Sequence, residues 1–150
     1  MNLRIVPVTG ENRTEAKKLS VTEDQKDFIE PVTECLREAD EISDWETVCI
    51  YDGETVVGFA MYGYMSREPL PRLWFDRLLI DRHFQHRGYG RKAVEAILRR
   101  IEKEFPGRDI YISAYEDNNA AISLYRSFGF RMNGELDING EKIMVLKQKK

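Results

Sequence analysis

The run Gln85-His86-Arg87-Gly88-Tyr89-Gly90-Arg91 has the makings of an anion cradle. Its two glycines let the backbone turn tightly, so that several N–H groups can point at one spot. A helix expected from Gly88 adds the positive end of its dipole, and Arg87, Arg91 and Lys92 add charge. A pyrophosphate is the natural ligand for such a loop. Two other readings stay open on the loop alone. One is a plain tight turn. The other is the G-x-G-x-x-A dinucleotide fingerprint, which Gly88 to Ala93 also matches. That fingerprint needs a carboxylate about 20 residues on, at a strand end. Glu104 is near that distance but falls inside the expected helix. No Walker lysine motif is present.

The elements that would carry this loop are legible from pattern. Strands are expected at Leu3–Val8, Trp45–Tyr51, Thr55–Tyr64, Leu73–Ile80, Ile110–Ala114, Phe130–Leu136 and Lys142–Lys147. Asp52-Gly53 and Asn139-Gly140 mark hairpin turns. Helices are expected at Thr14–Leu19, Gly88–Glu104 and Asn119–Phe128. Phe28, Ile29, Val32, Leu36 and Ala39 fall at helical spacing behind an N-cap at Thr22, with Pro31 forcing a bend or a break. The order predicts a mixed sheet with helices packed on it.

At 150 residues, with 42% hydrophobic and 33% charged, the chain reads as one folded soluble domain spanning 1–150. No apolar run is long enough to span a membrane, and the N-terminus does not read as a secretory signal. Cys35 and Cys49 form neither a disulfide scaffold nor a zinc motif; ordinary buried thiols in a cytoplasmic protein are expected, with no metal. The net charge of −3 hides an asymmetry. Val21–Glu54 holds twelve acidic residues against Lys26 and Arg37, whereas Arg82–Arg108 is basic. Solvated helix faces account for such runs unless motifs say otherwise. The basic stretch lacks interleaved aromatics, which argues against nucleic acid.

A second motif, Asn118-Asn119-Ala120-Ala121-Ile122-Ser123-Leu124-Tyr125-Arg126-Ser127-Phe128-Gly129-Phe130, follows the next strand. The two together resemble the GNAT superfamily of acyl-CoA-dependent N-acetyltransferases. Gln85, Gly88 and Gly90 match its Q/R-x-x-G-x-G/A loop, and Asn118, Ala121, Ile122, Leu124, Tyr125, Gly129 and Phe130 match its N-x-x-A-I-x-L-Y-x-x-x-G-F stretch. The resemblance covers nearly the whole chain. It implies the GNAT fold: an α/β (α+β) architecture with a mixed, mostly antiparallel sheet of six to seven strands, splayed at the middle, and about four helices on both faces. It implies acetyl-CoA as co-substrate, its pyrophosphate on the amides of His86, Arg87, Gly88, Tyr89, Gly90 and Arg91. The backbone of Leu78, Leu79 and Ile80 would meet the pantetheine arm, a bulge would free those groups, and Asn118 would contact the cofactor. One freed N–H near Leu78 would polarise the thioester carbonyl.

Tyr125 matches the tyrosine that protonates the departing thiolate in many members; amphipathic packing beside Leu124 is the competing reading. An alkylammonium, with a pKa of ~10, must lose a proton before it attacks. Asp76 interrupts an apolar strand and is the best base, sharing a face with Leu78 and Ile80 if pairing is regular. A salt bridge to Arg77, Arg72 or a helix residue would explain it equally. His83 and His86 flank the loop and read as exposed or phosphate-side.

The segment Leu19–Pro31 looks like that of Bacillus-type spermine/spermidine (diamine) N-acetyltransferases. A polyamine substrate is therefore expected, its ammonium groups met by Glu23, Asp24, Phe28 and Glu30, with Asp27, Glu34, Tyr51, Tyr62 and Tyr64 as further candidates. Another amine, a protein N-terminus or an aminoglycoside, and a non-catalytic acyl-CoA sensor are the alternatives. Relatives in the family suggest a homodimer.

Overall fold

A computed structural model describes residues 2–148; Met1, Lys149 and Lys150 lie outside it. Seven strands form one sheet in the order β1-β2-β3-β4-β5-β7-β6. They are β1 (Leu3–Pro7), β2 (Trp45–Asp52), β3 (Thr55–Tyr64), β4 (Leu73–Ile80), β5 (Ile110–Ala114), β6 (Arg131–Leu136) and β7 (Lys142–Leu146). Only β4 and β5 pair parallel, because helix α3 (Tyr89–Glu104) crosses over between them.

Helices cover both faces. Ala93, Val94, Ile97 and Ile101 of α3, with Ile122 and Tyr125 of α4 (Asn119–Ser127), pack on Ile50, Tyr62, Phe75, Ile112 and Met144. Ala16 of α1 (Arg13–Lys17) and Val32, Cys35 and Leu36 of α2 (Val32–Glu41) pack on Cys49, Phe59, Met61 and Leu79 across the sheet. Both thiols are buried and unbonded, and burial pushes them up to about 12 at Cys35 and about 11 at Cys49.

The segment before α2 differs from expectation. Glu23–Gln25 is one 3₁₀ turn, and Phe28 and Ile29 lie in a turn rather than on a helix. Pro31 disfavours helical geometry at Glu30, so the helix starts only at Val32.

Two features of β4 shape the middle of the sheet. Met61 faces Arg77 while Tyr62 faces Phe75, so Asp76 is the extra residue of a β-bulge. The phase flips there. Leu73 and Phe75 point to the α3 side before the bulge, and Leu78 and Ile80 do so after it. Regular pairing, the premise for putting Asp76 on one face with Leu78 and Ile80, therefore fails. The second feature is the short contact with β5, made only by Leu73 with Ile110 and Trp74 with Tyr111. Beyond Trp74 the strands diverge and leave a cleft between them.

Gly58 holds β3 close to β4 beside this bulge. A Cβ there would sit 2.6 Å from the Leu79 carbonyl oxygen, which cannot move without breaking the ladder. Gly58→Ala is expected to destabilise the protein by about 1–3 kcal/mol through overpacking. Urea unfolding monitored by Trp fluorescence measures it.

Candidate active site

The cleft between β4 and β5 is lined by Leu78, Leu79, Ile80, Gln85, Gly90, Ser113, Asn118, Leu124 and Tyr125. Antiparallel strands direct the N–H and C=O of alternate residues to opposite sides. The Asp81 N–H donates to Val57 on β3. Leu79 and Arg77 therefore turn toward β3, and Leu78 and Ile80 turn toward the cleft. The Ile80 carbonyl accepts there from Gln85 Nε2 at 2.9 Å, not from a strand. Gln85 also exchanges amide hydrogen bonds with Gln25, at 2.8 and 3.1 Å.

Past Gln85 the chain turns through His86 at φ 63° and Gly88 at φ 86°, then enters α3. No side chain caps this helix, so its first N–H groups are open. Arg87 lies over the Phe84 ring at 5.8 Å and Arg91 over Phe128 at 5.3 Å. The open amides beside a groove of unpaired strand groups fit a diphosphate followed by an amide-bearing arm. Asn118 accepts from the Ala121 N–H at 3.4 Å, capping α4 at the wall of the cleft.

Tyr125 on α4 faces into the cleft, only 8% exposed, edge-on to Phe130. No described protein group hydrogen-bonds its hydroxyl. Burial, with a smaller contribution from Glu141, pushes it up to about 12, so it holds its proton at neutral pH.

Asp76 stands where this cleft opens into a second groove of about 810 Å³. Both cavities share Asp76, Arg77, Ser113 and Glu141. Burial raises Asp76 to about 6, with Arg77 opposing and Glu38 and Glu30 adding to the rise. Arg77 Nη1 donates to Asp76 Oδ2. Its Nε lies 2.7 Å from Glu30 Oε2, too bent for a hydrogen bond, and its Nη2 lies 3.6 Å from Glu38 Oε2.

Residues 17–130 match the model of the Acetyltransferase (GNAT) family. The chain belongs to the GNAT acetyltransferase family. Like others of the family, this N-acetyltransferase uses acetyl-CoA as co-substrate. It is 40% identical to the Bacillus subtilis (strain 168) spermine/spermidine N(1)-acetyltransferase over 97% of this chain and 98% of that one. A probable spermine N(1)-acetyltransferase of Bacillus subtilis subsp. natto matches at the same identity and coverage. Among solved structures, the Vibrio cholerae spermidine N-acetyltransferase in complex with CoA and spermine superposes with a TM-score of 0.73, at 18% identity, covering 97% of this chain and 95% of that one. That likeness shows the fold.

The GNAT cleft gathers Leu78, Leu79, Ile80, Gly90, Asn118, Tyr125 and Asp76, and also Phe28 and Glu30. His86, Arg87 and Gly88 form its exposed rim, with Arg91 one turn on. The Tyr89 side chain points away, buried, and its hydroxyl donates to Asp52 Oδ2; only its backbone belongs to the cradle. Glu23 and Asp24 lie outside both cavities. Glu23 pairs with Lys26, and Asp24 accepts from the Thr22 hydroxyl. Tyr62 is fully buried on Glu104, Tyr64 stacks under Arg108 at 4.1 Å and Tyr51 under Arg4 at 5.0 Å, so none of the three faces the cleft. His83 is bound to Asp81. Glu104, the distant acid of a dinucleotide fingerprint, is occupied by Tyr62 and Arg100. The sequence reading missed Ser113, Glu38 and Glu141, none of which lies in a motif.

No described residue of the GNAT enzyme forms a metal-ligating group, and no described helix is long and apolar enough to cross a membrane. At Gly88 an added Cβ would meet nothing within 4 Å, so only the left-handed backbone opposes it. Gly88→Ala is expected to cost about 1–2 kcal/mol of cradle geometry. Calorimetric titration with CoA reads this as roughly tenfold weaker binding, with the bulk of the sheet unchanged by circular dichroism.

Proposed function

We propose that the enzyme acetylates a primary amine of a polyamine such as spermidine or spermine, by direct attack within a ternary complex. The single observation that carries this is the meeting of the two cavities at Asp76, beside a groove where Glu38, Asp44, Glu68, Asp137 and Glu141 outnumber Arg67, Arg72 and Arg77. Carboxylates and the exposed edges of Trp45 and Trp74 suit an aliphatic chain of ammonium groups. The 40% identity to the Bacillus enzymes, with nearly complete coverage, supports the same substrate class.

The roles follow from position. The α3 amides and the open strand groups of Leu78 and Ile80 hold the diphosphate and the arm. The Leu78 N–H, turned into the cleft, would favour charge developing on the thioester oxygen of a bound acyl group. Asp76 takes the ammonium's proton, directly or through water, and the free amine forms the C–N bond. The C–S bond breaks, and Tyr125 gives its proton to the departing sulfur. The attacking nitrogen sheds its second proton as the amide forms; of the two protons it loses, one returns to Tyr125 and the other leaves to solvent, so that Asp76 ends ionised and Tyr125 protonated as they began. A reducing cytoplasm suits the two free thiols. Exposed Leu136 and Ile138 at the β6 edge support a homodimer.

Mixing protein, acetyl-CoA and spermidine and following free thiol tests the reading. Turnover with a peptide N-terminus or an aminoglycoside but no polyamine would replace the substrate. Tyr125→Phe should lose roughly 10²–10⁴-fold in kcat while keeping CoA affinity; a pure sensor would have no rate to lose. With Asp76 as base, kcat should fall as pH drops through about 6, because the carboxylate then becomes a neutral acid.

A further inference from the structure

Glu141 lies in the turn between β6 and β7, and its side chain reaches both the acyl cleft and the acidic groove. The other junction carboxylates are engaged. Asp76, Glu30 and Glu38 all pair with the single Arg77 guanidinium. Glu141 has no ion-pair partner among the described residues. Its backbone N–H donates to Asp137 Oδ1 at 2.9 Å, which fixes the turn. The buried Tyr125 hydroxyl, itself without a hydrogen-bond partner, points into the same space and feels the Glu141 charge. Arg77, the cation that both cavities share, is turned to those three carboxylates, and no described residue sets a cation against Glu141.

We propose that Glu141 receives the substrate ammonium that is to be acetylated, seating it between the acyl cleft and the acidic groove. This rests on the polyamine reading and adds the residue that selects for charge at the reacting nitrogen. In the free enzyme a proton holds the ammonium's place. Burial first, then a side-chain hydrogen bond to the Asp137 carboxyl and that group's charge, raise Glu141 to about 8. Arg77 on β4 opposes the rise and Glu30 ahead of α2 adds to it, while Tyr125 faces it from α4 and Tyr115 from the end of β5. An arriving ammonium favours the ionised carboxylate, so the proton leaves as the amine docks.

The sign of the pH dependence follows. Below about 8 Glu141 carries a proton and holds an ammonium weakly; above it the carboxylate holds it strongly. KM for spermidine should therefore fall as pH climbs through that range, while KM for acetyl-CoA stays level. Glu141→Gln keeps the size and the turn but removes the charge. It should raise KM for spermidine roughly 10- to 100-fold and flatten its pH dependence, with KM for acetyl-CoA within a few-fold of the parent. Glu141→Asp should recover part of the loss. Calorimetric titration with spermidine near pH 7, repeated in buffers of different ionisation enthalpy, should show proton release by the parent and none by Glu141→Gln. An unchanged spermidine KM with an unchanged pH trend in Glu141→Gln overturns the assignment and leaves the polyamine reading standing. Absence of polyamine turnover by the parent removes both. An unchanged KM for acetyl-CoA shows that the variant is folded, so a selective loss cannot be put down to unfolding.

Discussion

The whole site depends on one interruption of a hydrogen-bond ladder. A parallel neighbour would ordinarily pair with β4 along its length, yet β5 meets it only at Leu73 and Trp74. The bulge at Asp76 bends the strand away and reverses which residues face α3. Unpaired main-chain groups in a protein interior are costly, so such a gap persists only where something else can satisfy them. Gln85 does this for Ile80 within the protein itself. A ligand arm with its own amides is suited to the remainder. Fold and co-substrate binding are thus the same fact viewed from two sides.

Charge is divided along that gap. At one end stand helix amides and arginines, held in place by Phe84 and Phe128. At the other end the carboxyls gather on the second groove. Tyr125 and Asp76 sit between, and burial moves both in the same chemical direction, toward keeping a proton. For the phenol this preserves an acid. For the carboxyl it makes a stronger base than an exposed aspartate while leaving it ionised near neutrality. A single physical effect leaves one group protonated and the other ionised near neutrality because the two start from opposite ends of the pH scale.

The glycine turn and the helix that follows it were legible in the sequence because they are local. Gly88, Gly90 and the start of α3 are consecutive, and the amides of a cradle are set by backbone turns that glycine spacing reveals. The order of elements along the chain followed from period and turn residues. The acceptor side was not legible, for three reasons. A bulge leaves no mark in an alternating pattern, so nothing in Leu73–Ile80 announces the phase change at Asp76. Phe28 and Ile29 keep helical spacing with Val32 although Pro31 separates them from the helix. And charge density counts acids without showing which are spent: Glu23 and Asp24 have local partners, whereas Glu141, from the far end of the chain, arrives by topology alone. Aromatic content misled in the same way, for Tyr62 sits under α3 as a core residue whose hydroxyl happens to reach Glu104.

Arg77 looks out of place beside a site proposed for cations, and the energetics explain it. Asp76 is 17% exposed at its side chain, and its neighbours Glu30 and Glu38 are acidic too. Without a counter-ion, gathering these groups at low dielectric would drive Asp76 to keep its proton well into the neutral range and lose its use as a base. One guanidinium, with its fork of donors, can face several carboxylates at once, which a lysine ammonium on its flexible stem does less well. It also comes from the residue after the bulge, so the distortion that opens the cleft is the one that turns the guanidinium toward α2. The arginine offsets the burial of Asp76, while Glu141, in the turn between β6 and β7, forms no ion pair with it. Arg77 offsets part of the negative charge around Asp76, and the carboxylates of the second groove with which it does not pair, Asp44, Glu68, Asp137 and Glu141, line the rest of that groove.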